Sequence, residues 1–261
     1  MRCGWLRFGH LLVFGIFGVA AVEWHEAIDF LSPYLVRIST PHGSGTGWLV
    51  SRSSTSDLCA IATAAHVIDH AHFWEEPIRI WHPATDQSVV LRASERSVLM
   101  NQTLDSAGVI FPLGALQLPT NALELVEKDK FTKPGVEIGW LGFPAIPRAN
   151  LCFFSGRISA FVEDDRAYLV DGVAINGVSG GPAFYLRQDT VRLLGTVSAY
   201  IPNRATGESL PGVAVVRDAM HFHDIAGRFK SFDDAKSNET PPSEPATADS
   251  LELPSQIKAS R

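Results

Sequence analysis

Two sets of six short apolar runs, punctuated by turn residues, commit this chain to antiparallel β-structure. The first set is Tyr34 to Ser39, Thr46 to Val50, Leu58 to Ala62, Ile78 to Trp81, Val89 to Ala93 and Ala107 to Phe111. The second is Val136 to Leu141, Cys152 to Phe161, Ala167 to Val170, Ala183 to Leu186, Val191 to Tyr200 and Val213 to Val216. Runs of this length between turn residues are strand signals, and six of them suit one small closed barrel. The expected fold is all-β: two six-stranded antiparallel β-barrels over about 32–112 and 134–217, with a linker near Pro112 to Lys133. A short helical turn at Glu23 to Phe30 leads in. A C-terminal helix from Asp218 to Phe229, with Asp218 as its N-cap, closes a domain spanning 23–230.

Composition narrows the class. The chain has 261 residues, 46% hydrophobic and 19% charged, enough apolar material for a packed core. Half of the net charge of −6 lies between Ser231 and Arg261, where six acids face three bases. The rest is near neutral and has no basic run suited to phosphate contacts, so nucleic acid is not an expected partner. Residues 231–261, rich in Pro, Ser, Thr, Ala and acids, read as a disordered acidic tail, which leaves no room for a further peptide-binding domain.

At the other end, Met1-Arg2-Cys3-Gly4-Trp5-Leu6-Arg7 precedes an uncharged run from Phe8 to Val22, with Val19-Ala20-Ala21 fitting a small-residue cleavage site. That is the layout of a signal peptide over residues 1–22, and export to a periplasmic or external space is the expectation. The run is short for a spanning helix, which needs roughly 20 residues. A retained anchor, the one route to a membrane, and an N-terminal extension of a cytoplasmic protein stay open. Of the three cysteines, Cys3 falls in the leader, and Cys59 and Cys152 fall in apolar strands as thiols rather than a bridge.

The segment Gly177-Val178-Ser179-Gly180-Gly181-Pro182 sets one serine among glycines that let the backbone turn tightly around its hydroxyl. A serine attacks a carbonyl only when a neighbouring base takes its proton and a third group holds that base. Upstream, Thr63-Ala64-Ala65-His66 follows an apolar strand, and Asp105-Ser106-Ala107-Gly108-Val109-Ile110 opens another. Asp57, Asp69 and Asp86 are rivals to Asp105, but none opens such a run. Gly177-x-Ser179-x-Gly181 also fits the nucleophile elbow of α/β-hydrolases, which requires a helix directly after the serine and then an acid and a histidine. Here Pro182 and Val191 to Val197 point to strands, and the only later histidines, His221 and His223, sit close behind Asp218. His66, His70 and His72, with Cys59 nearby, match no zinc spacing, since Val67 stands where a metalloprotease helix has Glu. His70 and His72 are read as polar residues of the helix behind His66. No metal and no cofactor are expected.

Four pieces in register, Gly43-Ser44-Gly45-Thr46-Gly47-Trp48-Leu49-Val50, Thr63-Ala64-Ala65-His66-Val67, Asp105-Ser106-Ala107-Gly108-Val109 and Gly177 to Pro182, resemble the chymotrypsin-like serine peptidases. The resemblance is closest to the bacterial trypsin-like branch of the HtrA proteases, without their PDZ domain, and runs from about Ser32 to Gly227. It implies a His66-Asp105-Ser179 triad where two barrels meet, with His66 as general base and Asp105 orienting it. The N–H groups of Gly177 and Ser179 would form the oxyanion hole, each such donor typically supplying about 3 kcal/mol. The implied reaction is endopeptidase cleavage of a polypeptide through an acyl-enzyme. By the same resemblance Val173 is the pocket floor, Ser198, Ala199 and Tyr200 line the substrate strand, Ser198 supports Asp105, and the cleaved residue is small or medium and apolar. The chain departs from the family at Val178, commonly Asp or Asn, and at Ser106 and Gly108, which interrupt the strand after Asp105. A catalytically silent binding module on the same fold and a non-peptidase acyl hydrolase remain as other readings. The oligomeric state is not legible.

Overall fold

The computed structural model describes residues 22–147, 150–187, 190–202 and 209–237, with the side chains of 199–202, 209–211 and 236–237 outside that description. The expected leader and most of the expected tail lie outside the described residues. Among the described residues thirteen strands and three α-helices follow one another: α1 (Trp24–Leu31), β1 (Leu35–Thr40), β2 (Gly43–Arg52), β3 (Leu58–Thr63), α2 (Ala65–Phe73), β4 (Ile78–His82), β5 (Gln87–Leu91), β6 (Ser97–Asn101), β7 (Ser106–Pro112), β8 (Glu137–Gly142), β9 (Cys152–Val162), β10 (Ala167–Asp171), β11 (Pro182–Arg187), β12 (Thr190–Pro202), β13 (Ser209–Asp218) and α3 (Met220–Ser237). All twelve apolar runs are strands.

The second set closes into an antiparallel barrel in the order β10-β13-β12-β11-β8-β9. The first set is all-β as expected but forms a curled seven-stranded sheet, β5-β4-β1-β2-β3-β7-β6, a half-barrel rather than a closed six-stranded one. The added strand, β6, has only Val98, Leu99 and Met100 as its apolar residues, and these are half-buried. A run that short carries no clear period-two signal.

The buried residues form two clusters, the first of which also takes in Leu141, Phe184 and Leu193 of the second barrel. Trp48, Ile38, Ile61, Ile80 and Phe111 fill the first; Trp140, Ile138, Tyr168, Leu194 and Val216 fill the second. In the linker, Leu116, Leu118 and Leu123 are buried in the first core and Val126 in the second. Helix α1 straddles the two units: Ala27 and Leu31 enter the first core, while the Trp24 ring lies 5.4 Å from Phe153 and 5.7 Å from Phe184 on the second barrel.

Helix α3 leaves the last strand of the second barrel and returns to the first sheet. Asp218 accepts a hydrogen bond from the Met220 N–H at 3.1 Å, and Phe222, Ile225 and Phe229 are buried in the first core. The helix extends to Ser237, six residues past Ser231, where the tail was expected to begin. Ser53 and Ser56 donate hydroxyl hydrogen bonds to Asp233 at 2.6 and 3.0 Å and so tie these last turns to the β2–β3 connection. Cys59 and Cys152 are free thiols, and burial pushes the Cys59 thiol up to about 12.

Trp48 is fully buried, stacks edge-on against Phe222 of α3 at 5.3 Å, and donates its indole N–H to Thr196 Oγ1 on β12 at 3.3 Å. Replacing it with alanine removes a large ring from the meeting point of sheet, barrel and helix. Trp48→Ala is expected to cost about 3–5 kcal/mol in urea unfolding. A loss under about 1 kcal/mol would show that the core collapses around the gap.

Candidate active site

The strand carrying the histidine ends at Thr63, Ala64 is extended, and α2 starts at Ala65, which puts His66 in the first helical turn. The first N–H groups of a helix have no partner inside it. Asp105 supplies one: its Oδ1 accepts the His66 N–H at 3.0 Å, and the carboxylate sits at the positive end of the helix. The same carboxylate holds the ring, with His66 Nδ1 2.9 Å from Oδ2 and 3.0 Å from Oδ1. Ser198 Oγ donates a further, short hydrogen bond to Oδ2. Two segments far apart in the chain therefore converge on one acid.

Asp105 reaches this position through a tight turn. Asn101 Oδ1 accepts the Leu104 N–H at 3.0 Å, and Asp105 has a left-handed φ of 44°, which a short polar side chain tolerates better than most. Burial alone would raise the Asp105 carboxyl. Hydrogen bonds from the His66 ring and main chain and from Ser198 reverse that and hold it below the usual carboxylate range. The partner ring moves oppositely: the hydrogen bond to Asp105 raises His66 above its ordinary 6.5, against the effect of burial.

The two interruptions in the strand after Asp105 have a reason in α3. Ser106 is buried with its Oγ 2.6 Å from His221 Nδ1. At Gly108 a Cβ would lie 2.8 Å from Ile225 Cγ2. The helix packs so closely on β7 that these positions must be small.

Opposite His66, the serine loop is clamped from both sides. Gly177 has φ of 91°, and a Cβ there would lie 2.5 Å from the Phe143 carbonyl oxygen, so only glycine fits. Val178, where the family commonly has Asp or Asn, is buried in the second core and anchors the loop from beneath. Thr46 of β2 supplies the clamp from the first sheet. Its N–H donates to Ser179 O at 2.8 Å, its hydroxyl donates to Gly177 O at 2.8 Å and accepts the Phe143 N–H at 2.9 Å. On the barrel side, Gly180 N–H donates to Val197 O at 2.7 Å.

Ser179 Oγ donates to the Ser198 carbonyl oxygen at 3.2 Å. Ser198 thus touches Asp105 through its side chain and Ser179 through its main chain. Among the described residues the N–H groups of Gly177 and Ser179 donate to no protein acceptor. Gly177, Ser179, His66, Asp105 and Ser198 are brought together here. Val173 stands 53% exposed in the stretch before the loop. Ala199 and Tyr200 pair with Val215 and Ala214 of β13, and their side chains lie outside the described residues. Thr46 is the residue that sequence reasoning missed, although it stands inside the quoted glycine-rich segment.

No family model and no curated protein sequence matches the chain. Solved structures do. The inactive form of the Rv3671c protease is 19% identical with a TM-score of 0.52, over 82% of this chain and 98% of its own; a further structure of the inactive form names M. tuberculosis H37Rv as its source. Deg5 is 16% identical with a TM-score of 0.53, over 79% of this chain and 94% of its own. A serine endoprotease from Yersinia pestis is 16% identical with a TM-score of 0.56, over 84% of this chain and 69% of its own. At these identities the likeness establishes the fold: the chain shares their trypsin-like two-barrel architecture.

Thr46→Val keeps the shape of the side chain but removes the hydroxyl between Gly177 and Phe143. Two buried backbone groups then lack a partner, and a loss of about 1–3 kcal/mol is expected in urea unfolding. An unchanged midpoint would show that the hydroxyl does not clamp the loop.

Proposed function

We propose that the protein is a serine endopeptidase that cleaves polypeptides through an acyl-enzyme, with Ser179 as nucleophile, His66 as general base and Asp105 as the group that orients it. The observation that carries this reading is the double use of Ser198, bonded to Asp105 on one side and to Ser179 on the other. With Nδ1–H donated to Asp105, the neutral His66 ring presents Nε2 as an acceptor. A turn of the Ser179 hydroxyl away from the Ser198 carbonyl gives Nε2 its proton as the oxygen attacks. Bonds of this kind commonly tighten only when substrate is bound. The free N–H groups of Gly177 and Ser179 receive the carbonyl oxygen as it becomes negative. His66 then returns the proton to the departing amine, and water repeats the sequence on the ester. Every proton held or moved in this scheme belongs to the chain, the substrate or water.

A second reading, a silent module that only binds, has one observation in its favour: the Ser179 hydroxyl points its hydrogen at Ser198 rather than at His66. Labelling by a fluorophosphonate separates the two. The wild-type chain is expected to label and to digest a peptide library, while Ser179→Ala and His66→Ala lose labelling and lower kcat by about 10⁴-fold or more. An unlabelled wild type, or equal labelling of Ser179→Ala, would leave the binding module as the better account.

The ionisation of His66 adds a pH signature. The base must be neutral to work, and its pKa lies above 6.5, so kcat/KM is expected to rise with pH through a midpoint above 6.5. Asp105→Asn removes the cause of the upward shift, and the midpoint should move down as activity falls. A midpoint that stays in place in that variant would sink the assignment of Asp105.

A further inference from the structure

On the face of α2 that follows His66, three side chains from separate segments meet. His42 stands in the turn between β1 and β2, His70 in the last turns of α2, and Glu76 just beyond that helix. His42 Nε2 is 3.1 Å from Glu76 Oε1, and His70 Nδ1 is 3.2 Å from Glu76 Oε2. The two imidazole rings lie side by side, centroids 3.9 Å apart, and the three donor atoms all fall within 4.8 Å of one another. Around a tetrahedral zinc ion with bonds of about 2.0–2.1 Å, neighbouring ligand atoms are about 3.3 Å apart. Each nitrogen–oxygen separation is close to that edge length, and because the two end on different oxygens of Glu76, the carboxylate turns one oxygen toward both nitrogens to complete the site. The expectation of no metal considered His66, His70 and His72 with Cys59; the fold instead joins His70 to a histidine 28 residues earlier and to a glutamate.

The main chain that carries Glu76 is held in place. The Glu76 N–H donates to Ala71 O at 2.9 Å, and the Arg96 guanidinium donates to both Ala71 O and Glu76 O, at 2.9 and 2.7 Å. Glu75 takes a left-handed φ of 54° to bring the chain back onto the helix. His42 and His70 are each about half exposed, which leaves solvent access for a fourth ligand.

We propose that His42, His70 and Glu76 form a binding site for a divalent cation of the zinc class, with water completing the tetrahedron. Two imidazole nitrogens and one carboxylate suit zinc, cobalt, nickel or copper; an all-oxygen preference makes magnesium and calcium poor occupants. Occupancy ties the β1–β2 turn to the helix whose first turn carries His66. Binding is independent of whether Ser179 is catalytic.

The test is titration of the full chain with Zn²⁺ by calorimetry and with Co²⁺ by visible absorption, at neutral pH and with Mg²⁺ as a parallel arm. One equivalent of Zn²⁺ is expected to bind saturably, Co²⁺ to give the intense bands of a tetrahedral site, and Mg²⁺ to give neither. His42→Ala and His70→Ala should each weaken Zn²⁺ binding by about 100-fold or more, since even loss of an outer partner costs about 10–100-fold. His72→Ala, on the same helix but outside the cluster, should bind as the wild type does. Thermal midpoints without metal check that the variants fold. Absence of saturable binding, or wild-type affinity in His42→Ala and His70→Ala, would overturn the proposal.

Discussion

Thr46 ties the serine loop of the second barrel to the first sheet. Its N–H, hydroxyl and carbonyl are all engaged: the first two with Ser179, Gly177 and Phe143 on the second barrel, the last with the Thr63 hydroxyl at 2.8 Å, three residues before His66. These groups are buried, so none can exchange its partner for water, and each bond is costly to leave unmade. The serine loop is thereby referred to the same strand that fixes the start of α2. Residues more than a hundred positions apart are positioned by one side chain and its own peptide groups.

Asp105 plays the corresponding part on the other side of the site. A helix start, an imidazole and a serine hydroxyl all donate to it, which over-determines its position and explains how a left-handed aspartate is tolerated. The arrangement selects one tautomer of His66. It also makes helix capping and ring orientation a single event, because the carboxylate cannot serve the ring without also closing the first turn of α2.

Much of this was legible in the sequence because it is local. Twelve strands announce themselves as apolar runs, and Asp218 announces the last helix as a cap. Gly177 and Ser179 stand out because their spacing is short-range. What was not legible is what depends on contact between distant segments. Thr46 and Gly177 are 131 residues apart, and nothing in the glycine-rich segment says which threonine atom will meet which carbonyl. Ser106 and Gly108 looked like flaws in a strand because the helix that requires them small lies over 100 residues later. The seventh strand of the first sheet, β6, was likewise not legible, because Val98, Leu99 and Met100 make too short a run.

The return of α3 to the first sheet has a consequence for how the chain matures as it is made. Ser106 and His221 are separated by 115 residues, yet they meet under the turn that presents Asp105. During synthesis from the N-terminus, the first sheet emerges complete long before the helix that covers it. Its Trp48 and β7 surfaces stay uncovered until the end of the described chain has emerged. Contacts of such long range are slow to form, and an uncovered sheet is exposed to wrong partners meanwhile. The order of elements therefore leaves the turn that presents Asp105 without its α3 support, and without the Ser198 hydroxyl, until the second barrel has been made.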